Sequence, residues 1–428
     1  MGIHFRQLSR KKCPGDDLSF YGLKNATPAD KVCAFLLAIC PLIQHYIGIY
    51  NNAGFTILIL LMPYLGLRLI SAFKRRKINR PCGIAFLLLM LFQVYKMLSH
   101  GFGATKILYG VFMIIVFLAV AYGCISVEYL FKYASTIACA AGCLLLLQYV
   151  LFYGLGIHLQ LVATKLLLPE SSSWILLAQT GLYDVTGKPI DMYRPSAFFL
   201  EPSHLMIYCF PILCIYLLSP DINRTRFTKA IIVSAALLLS TSGMGIGILG
   251  VIWVVFLVMY YNGKDNRNVA SIDNVFSKKT ALLAVAVAAL AVVVVTQVDF
   301  VRNAIIRIFV SKDGQSTAID GRIRLAKDLV SGLRGSALCF GETDDISNIT
   351  FNLSGFFSTF YKHGIFGLIL SYLFYFYTLF KLKGGYFWIS LIIIVISYFT
   401  AHTHGTFYML YYVILLMGGF YSVRHYVE

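Results

Sequence analysis

The sequence predicts an all-α polytopic membrane protein with about 12 transmembrane helices, and three observations lead there. Of its residues, 59% are hydrophobic and only 13% charged, whereas a soluble domain is nearer half apolar and a quarter charged. Several runs approach the ~20 apolar residues that a helix needs to cross a bilayer. Runs such as ALLAVAVAALAVVVV at 281–295 lack the alternation of a barrel strand. In lipid only helices and closed barrels satisfy their own backbone, so helices remain.

The first thirty residues are polar and basic (FRQLSRKKCPGDD) and read as a cytosolic tail, with no removable signal peptide. Residues 31–428 form one transmembrane domain. Apolar segments follow near 31–50, 53–71, 82–98, 107–124, 133–155 and 197–218. Two short ones, 230–240 and 245–261, are separated by STSGMG and read as a hairpin meeting at Ser240–Gly243. The stretches DINRTRFTK and NGKDNRN…SKK on either side are both basic, so an even number of crossings must separate them. Further segments lie near 280–298, 355–380, 385–401 and 406–422. This order puts both termini in the cytosol and the basic stretches 6–12, 74–80, 221–229, 264–279 and 381–383 on the inner side. The formal charge of +17, which in a soluble protein would point to nucleic acid, is then the inward bias of a membrane protein. The cysteines lie mostly inside apolar runs and imply no disulfide framework.

Two outer loops dominate, about 156–194 and 299–354, and loops of that length are often functional. The second is rich in basic residues on the side that should be poor in them. Arg302, Arg307, Lys312, Arg322, Arg324, Lys327 and Arg334 stand against Asp313, Asp320 and Asp328, leaving +4 over 302–334. RIRLAKDLVSGLRG is amphipathic and fits a solvated helix. The same arginines fit an anion site, because guanidinium forks match phosphate oxygens.

Ionisable residues also gather in RPSAFFLEPSHLMIYCF (194–210). A helix through 194–204, bent by Pro202, would put Arg194, Glu201 and His204 on one face. Ionisable residues inside a membrane are functional candidates, although Glu201 could also serve only as a structural ion-pair partner. Ser242, in STSGMG, opens a helix whose N-terminus favours an anion, and small-residue packing explains the same motif. FNLSGFFSTFYKHGIFG brings Lys362 and His363 into the tenth crossing, and Lys96 lies inside the third. His402 and His404 in AHTHG are too few for catalytic zinc, so no metal and no cofactor is expected.

RPSAFFLEPSHL resembles the R-x-S-x-F-F-x-E-P-S-H stretch of Wzy-type O-antigen and capsular polysaccharide polymerases. LLLSTSGMGIGILG, DGRIRLAKDLVSGLRGSALCFGE and SGFFSTFYKHGIFGLI resemble, in order, that family's small-residue hairpin, outer loop and following helix. The resemblance covers about half the chain, 190 to 370. It implies a GT-C-like glycosyltransferase at the outer face of the bacterial cytoplasmic membrane, related in architecture to O-antigen ligases. Such an enzyme joins undecaprenyl-diphosphate-linked oligosaccharide repeats, which serve as donor and acceptor, and works with membrane lipid and a chain-length-regulating co-polymerase but no nucleic acid. Arg324 and Gly335 keep the family's Arg-to-Gly spacing closely, whereas Arg194 has no such glycine. The His-x-Asn/Ser pattern of the ligases has no copy here, since SNITFN lacks the histidine. On this reading Arg194, Arg322, Arg324 and Arg334, with Tyr193, Lys362 and Ser242, bind the diphosphate and substrate. Glu201 is the first choice for the base, followed by His204 or His363, and direct displacement would invert the anomeric centre. The alternatives are a ligase moving glycan to lipid A core, a flippase of the lipid-linked repeat, and a structural partner.

Overall fold

The computed structural model describes residues 26–49, 52–75, 78–99, 104–159, 161–163, 166–167, 195–219, 222–240, 242–263, 326, 328–342, 353–399 and 407–422. Their regular structure is helical, apart from one isolated bridge between Tyr46 and Leu167. The helices are α1 (Pro28–Ile43), α2 (Ala53–Arg75), α3 (Arg80–Ser99), α4 (Ala104–Ala121) and α5 (Val127–Tyr149), which runs on into a π turn (Val150–Gly154). Then come α6 (Pro202–Leu218), α7 (Arg224–Leu239), α8 (Gly243–Gly263), the short α9 (Ser336–Phe340), α10 (Gly355–Lys381), α11 (Gly385–Phe399) and α12 (Phe407–Ser422). Among the described residues, five helices are long and apolar enough to cross a membrane, running along α2, α3, α5, α8 and α10. The segment near 280–298 lies outside the described residues.

α6 and α12 are the inner elements. Every residue of α6 from His204 to Leu218 is buried, and so is α12 from Phe407 to Met417. Burial along these whole stretches leaves neither helix a face toward the surroundings, so both sit at the centre. α6 packs on α5, α7, α8, α11 and α12. The contact between α6 and α12 is specific. Pro211 has no N–H to offer the Ile207 carbonyl one turn back, and Tyr412 donates its hydroxyl to that carbonyl at 2.8 Å. Tyr208 in turn donates to the Ala38 carbonyl of α1 at 2.9 Å. In an apolar bundle a buried carbonyl left without a donor is costly, so these tyrosines set the register between helices.

Contacts sort the helix ends into two opposed sets. At one end the side chain of Asp30, at the start of α1, meets Tyr64 and Arg68 near the end of α2. Tyr421 of α12 donates there to the Ala121 carbonyl at the end of α4, and the Cys82 thiol of α3 faces the Met417 carbonyl. Lys31, Arg68, Lys74, Arg80, Lys132, Arg224, Arg226, Lys229, Lys381 and Lys383 belong to this end. At the opposite end the Phe407 N–H donates to Gln44 Oε1 beyond α1, and Tyr149 of α5 donates to the Leu239 carbonyl of α7. α7 and α8 form an antiparallel hairpin in which Trp253 donates to Ser234 Oγ at 2.9 Å. This second end carries the polar motifs singled out from the sequence.

Candidate functional site

Pro202 does not bend a helix running through 194–204 as expected; it starts α6. Residues 195–200 are irregular, and Glu201 is an extended cap residue with φ −140° and ψ 153°. The reason is steric. Proline suits the first helical position, where no N–H is needed, and it drives the residue before it toward extended backbone. Glu201 and His204 are therefore joined across a helix start rather than along a helix face. The Glu201 carbonyl accepts the N–H groups of His204 and Leu205 at 3.0 and 3.2 Å, and its carboxylate accepts from Ser203 Oγ at 2.8 Å. A carboxylate is favoured there by the partial positive charge of the helix N-terminus.

The irregular stretch before α6 is itself largely buried, and it is held from α5. The Ala197 N–H donates to Gln148 Oε1 at 3.0 Å, and Gln148 Nε2 donates to the Leu159 carbonyl at 2.9 Å. Ala197 has φ 53°, a left-handed conformation that a residue with a Cβ adopts only when its surroundings impose it. Leu200 packs with Val162, Leu167 and Tyr46, so the residues after α5 cover the stretch. The sequence pattern does not single out Gln148. Its signal was a lone amide in an otherwise apolar run.

His204 is 5% exposed. Its ring lies parallel to that of His45, with centroids 5.3 Å apart and planes within 2°, and 5.9 Å from the ring of Tyr408. The Tyr408 hydroxyl donates to the His204 carbonyl at 3.4 Å. His45 too was missed by the sequence reading. It follows Gln44 just beyond α1, where two polar residues interrupt the first apolar run.

A second group forms around His363, 7% exposed on α10. Tyr95 donates to the His363 carbonyl at 2.6 Å, Ser99 Oγ lies 3.4 Å from Nδ1, and the rings of Phe92 and Tyr95 meet the imidazole edge-on. The next residue, Gly364, breaks the helix with φ 63° and ψ −170°. This kink docks the segment Cys339–Glu342. A Cβ on Gly364 would run into the Cys339–Phe340 backbone, and one on Gly341, at φ 90°, into the Lys362–His363 backbone. The Glu342 N–H donates to the Tyr361 carbonyl at 2.8 Å, and Ala326, Leu333, Leu353 and Tyr361 form a small apolar cluster beneath. Two glycines thus let two backbones touch where no side chain fits.

Rings lie between the two groups. The Lys96 ammonium stands 5.9 Å from the centroid of Phe92, which borders His363, and 5.7 Å from that of Tyr109. Tyr109 lies edge-on to Phe407, the neighbour of Tyr408.

Of the residues selected from the sequence, Glu201 and His204 come together, as do Lys362 and His363, and both pairs sit at the same end of the bundle. Arg334 is exposed at the turn before α9. Ser242 Oγ accepts the Gly245 N–H at 3.3 Å and so caps α8, while Gly245 lies close against Met206 of α6. Tyr193, Arg194, Arg322 and Arg324 lie outside the described residues, as do Arg302, Arg307, His402 and His404. No protein-family model matches the chain and no curated protein matches it, which leaves the motifs quoted above as the basis of the resemblance.

Proposed function

We propose that this protein is a membrane glycosyltransferase that polymerises undecaprenyl-diphosphate-linked oligosaccharide repeats, with a GT-C-like, multi-pass architecture of about 12 spans in the bacterial cytoplasmic membrane. The observation that carries the reading is the placement of Glu201 and His204. They occupy the start of the most buried helix, beside an irregular buried stretch, at the end of the bundle that also holds Lys362 and His363. Irregular backbone within an apolar bundle is tolerated where it is enclosed by protein or lines a polar cavity. The uneven charge supports the orientation. The end bearing Arg68, Lys74, Arg80, Arg224, Arg226 and Lys229 suits the cytosol, and the Glu201 end then faces outward.

In this reading an acceptor sugar hydroxyl loses its proton to the Glu201 carboxylate as its oxygen bonds to the anomeric carbon of the donor. The bond from that carbon to the diphosphate oxygen breaks, the diphosphate leaves as an anion on its lipid, and the anomeric centre inverts. Cations stabilise the departing charge; Arg194, Arg322, Arg324, Arg334 and Lys362 are the candidates, and losing one such group typically costs ~10²–10³ in rate. Because this charge is met by side chains, the reading requires no metal or cofactor. Both chain ends lie in the cytosol, and a chain-length-regulating co-polymerase is a partner.

Reconstitution of the purified protein with lipid-linked repeat tests the reading. A ladder of lengthened chains is expected. If no chain lengthens, and glycan instead appears on lipid A core supplied in the same vesicles, the protein is a ligase and the polymerase reading is wrong.

A further inference from the structure

We propose that Lys96 is a further anion-binding residue of this site, one that holds the diphosphate of the lipid-linked substrate; the inference rests on the functional reading above and names a residue that reading does not use. Lys96 belongs to the last turn of α3, in a helix of otherwise apolar character. A lysine near a helix end can be there merely to extend its ammonium to the membrane surface. The lipid-type stripe of α3 is a different face, however. Leu87, Leu91, Val94 and Leu98, at helical spacing, are 51%, 49%, 37% and 61% exposed. Lys96, two residues on from Val94, is turned about 200° from that residue around the helix axis. It shares its face with Phe92 and Ser99, four residues before and three after, both of which meet His363. The side chain therefore points into the bundle end and not toward the exterior.

The ammonium is flanked by the rings of Phe92 and Tyr109. Phe92 meets the His363 ring, and Tyr109 meets Phe407 of α12, whose next residue, Tyr408, meets the His204 ring. Lys96 thus stands between a ring of the His363 group and a ring packed on the helix that carries Tyr408. Ring faces fix a cation in place through electrostatics. A lysine ammonium is a compact charge with three donors, well suited to the oxygens of a phosphate, and a cation turned inward among apolar helices is a functional candidate. The chemistry recognised is a phosphate-type anion at headgroup depth. A substrate diphosphate and an anionic phospholipid headgroup both provide it.

The test uses the full-length protein in nanodiscs and measures binding of undecaprenyl diphosphate, with undecaprenol as the uncharged comparison, in discs with and without phosphatidylglycerol. Lys96→Gln should weaken binding of the diphosphate about 10-fold or more, Lys96→Arg should retain most of it, and undecaprenol binding should not change. The proposal is overturned if Lys96→Gln binds the diphosphate as the wild type does, or if it weakens undecaprenol equally. It is also overturned if its only effect is to reduce retention of phosphatidylglycerol, which would make the residue a headgroup contact. If Lys96→Gln does not fold, Lys96→Met serves in its place, and thermal unfolding separates misfolding from lost binding. Wild-type protein that binds the diphosphate through Lys96 yet lengthens no chains would sink the polymerase reading alone. Wild-type protein that does not bind the diphosphate would sink both.

Discussion

The two ends of the helix bundle handle charge differently. At the Asp30 end the polar groups close on themselves. Thr27 and Asp30 form a reciprocal capping box, Asp30 also accepts from Tyr64 and Arg68, and its side chain is fully enclosed while Arg68 is 31% exposed. Helix capping and one ion pair explain every member of that group. At the Glu201 end the polar residues lie on irregular or kinked backbone: a cap residue before Pro202, a histidine next to the Gly364 break, and paired imidazoles at the meeting of α1 and α6. Capping and packing explain Ser242 there, but they do not call for Glu201, His45, His204, Lys96 and His363 together. The first pattern is that of an anchored end, and the second is the arrangement that the proposed function would use.

The largest expected effect is on chemistry. Glu201→Gln keeps the shape of the cap and removes the proton acceptor, so chain elongation from lipid-linked repeat should fall by about 10²–10⁴, with little change in thermal unfolding. Elongation at the wild-type rate would remove Glu201 from the mechanism and leave the two ends chemically alike.

Next comes the interlock of the loop with the kink. Gly341→Ala and Gly364→Ala each place a methyl group into backbone, in a conformation open essentially only to glycine that already costs ~1–3 kcal/mol for a side chain. The loop end should come away from α10. In a variant whose only cysteine is Cys339, an impermeant thiol reagent should then label that residue several-fold faster. Unchanged labelling would mean that the loop is held by the apolar cluster around Leu333 and Tyr361 and not by the glycines.

At the anchored end Asp30→Asn should cost about 1–2 kcal/mol, a modest figure because Arg68 is partly solvated. Elongation should be unaffected. A loss of activity without a loss of stability would break the contrast between the ends.

The smallest effect sharpens the account of the core. Tyr412→Phe should cost about 1 kcal/mol by depriving the Ile207 carbonyl of its donor. Pro211→Ala, which restores the helical N–H, should recover much of that loss in the Tyr412→Phe background. A thermal-unfolding cycle showing independent effects would argue that the tyrosine does not substitute for the missing bond.

Much of the helical framework was legible because long apolar runs leave a chain in lipid few options. The runs at 53–71, 82–98 and 385–401 correspond closely to α2, α3 and α11. The site was legible only as a set of residue types. Glu201 and His204 stood out as ionisable groups in an apolar run, but their backbone was misread, since a proline two residues before a histidine fits both a bent helix and a helix start. Which one forms depends on whether neighbouring elements can enclose the irregular stretch, and Gln148 and the residues after α5 do so.

From its sequence alone this chain is committed to apolar helices and to a basic side and a polar-motif side, because hydropathy and charge act residue by residue along the chain. The meeting of His45 with His204, of Gly341 with Gly364 and of Tyr412 with the carbonyl that Pro211 leaves open was decided only in three dimensions. Each joins residues far apart in the chain through shape and hydrogen-bond direction, and neither leaves a periodic mark in a sequence.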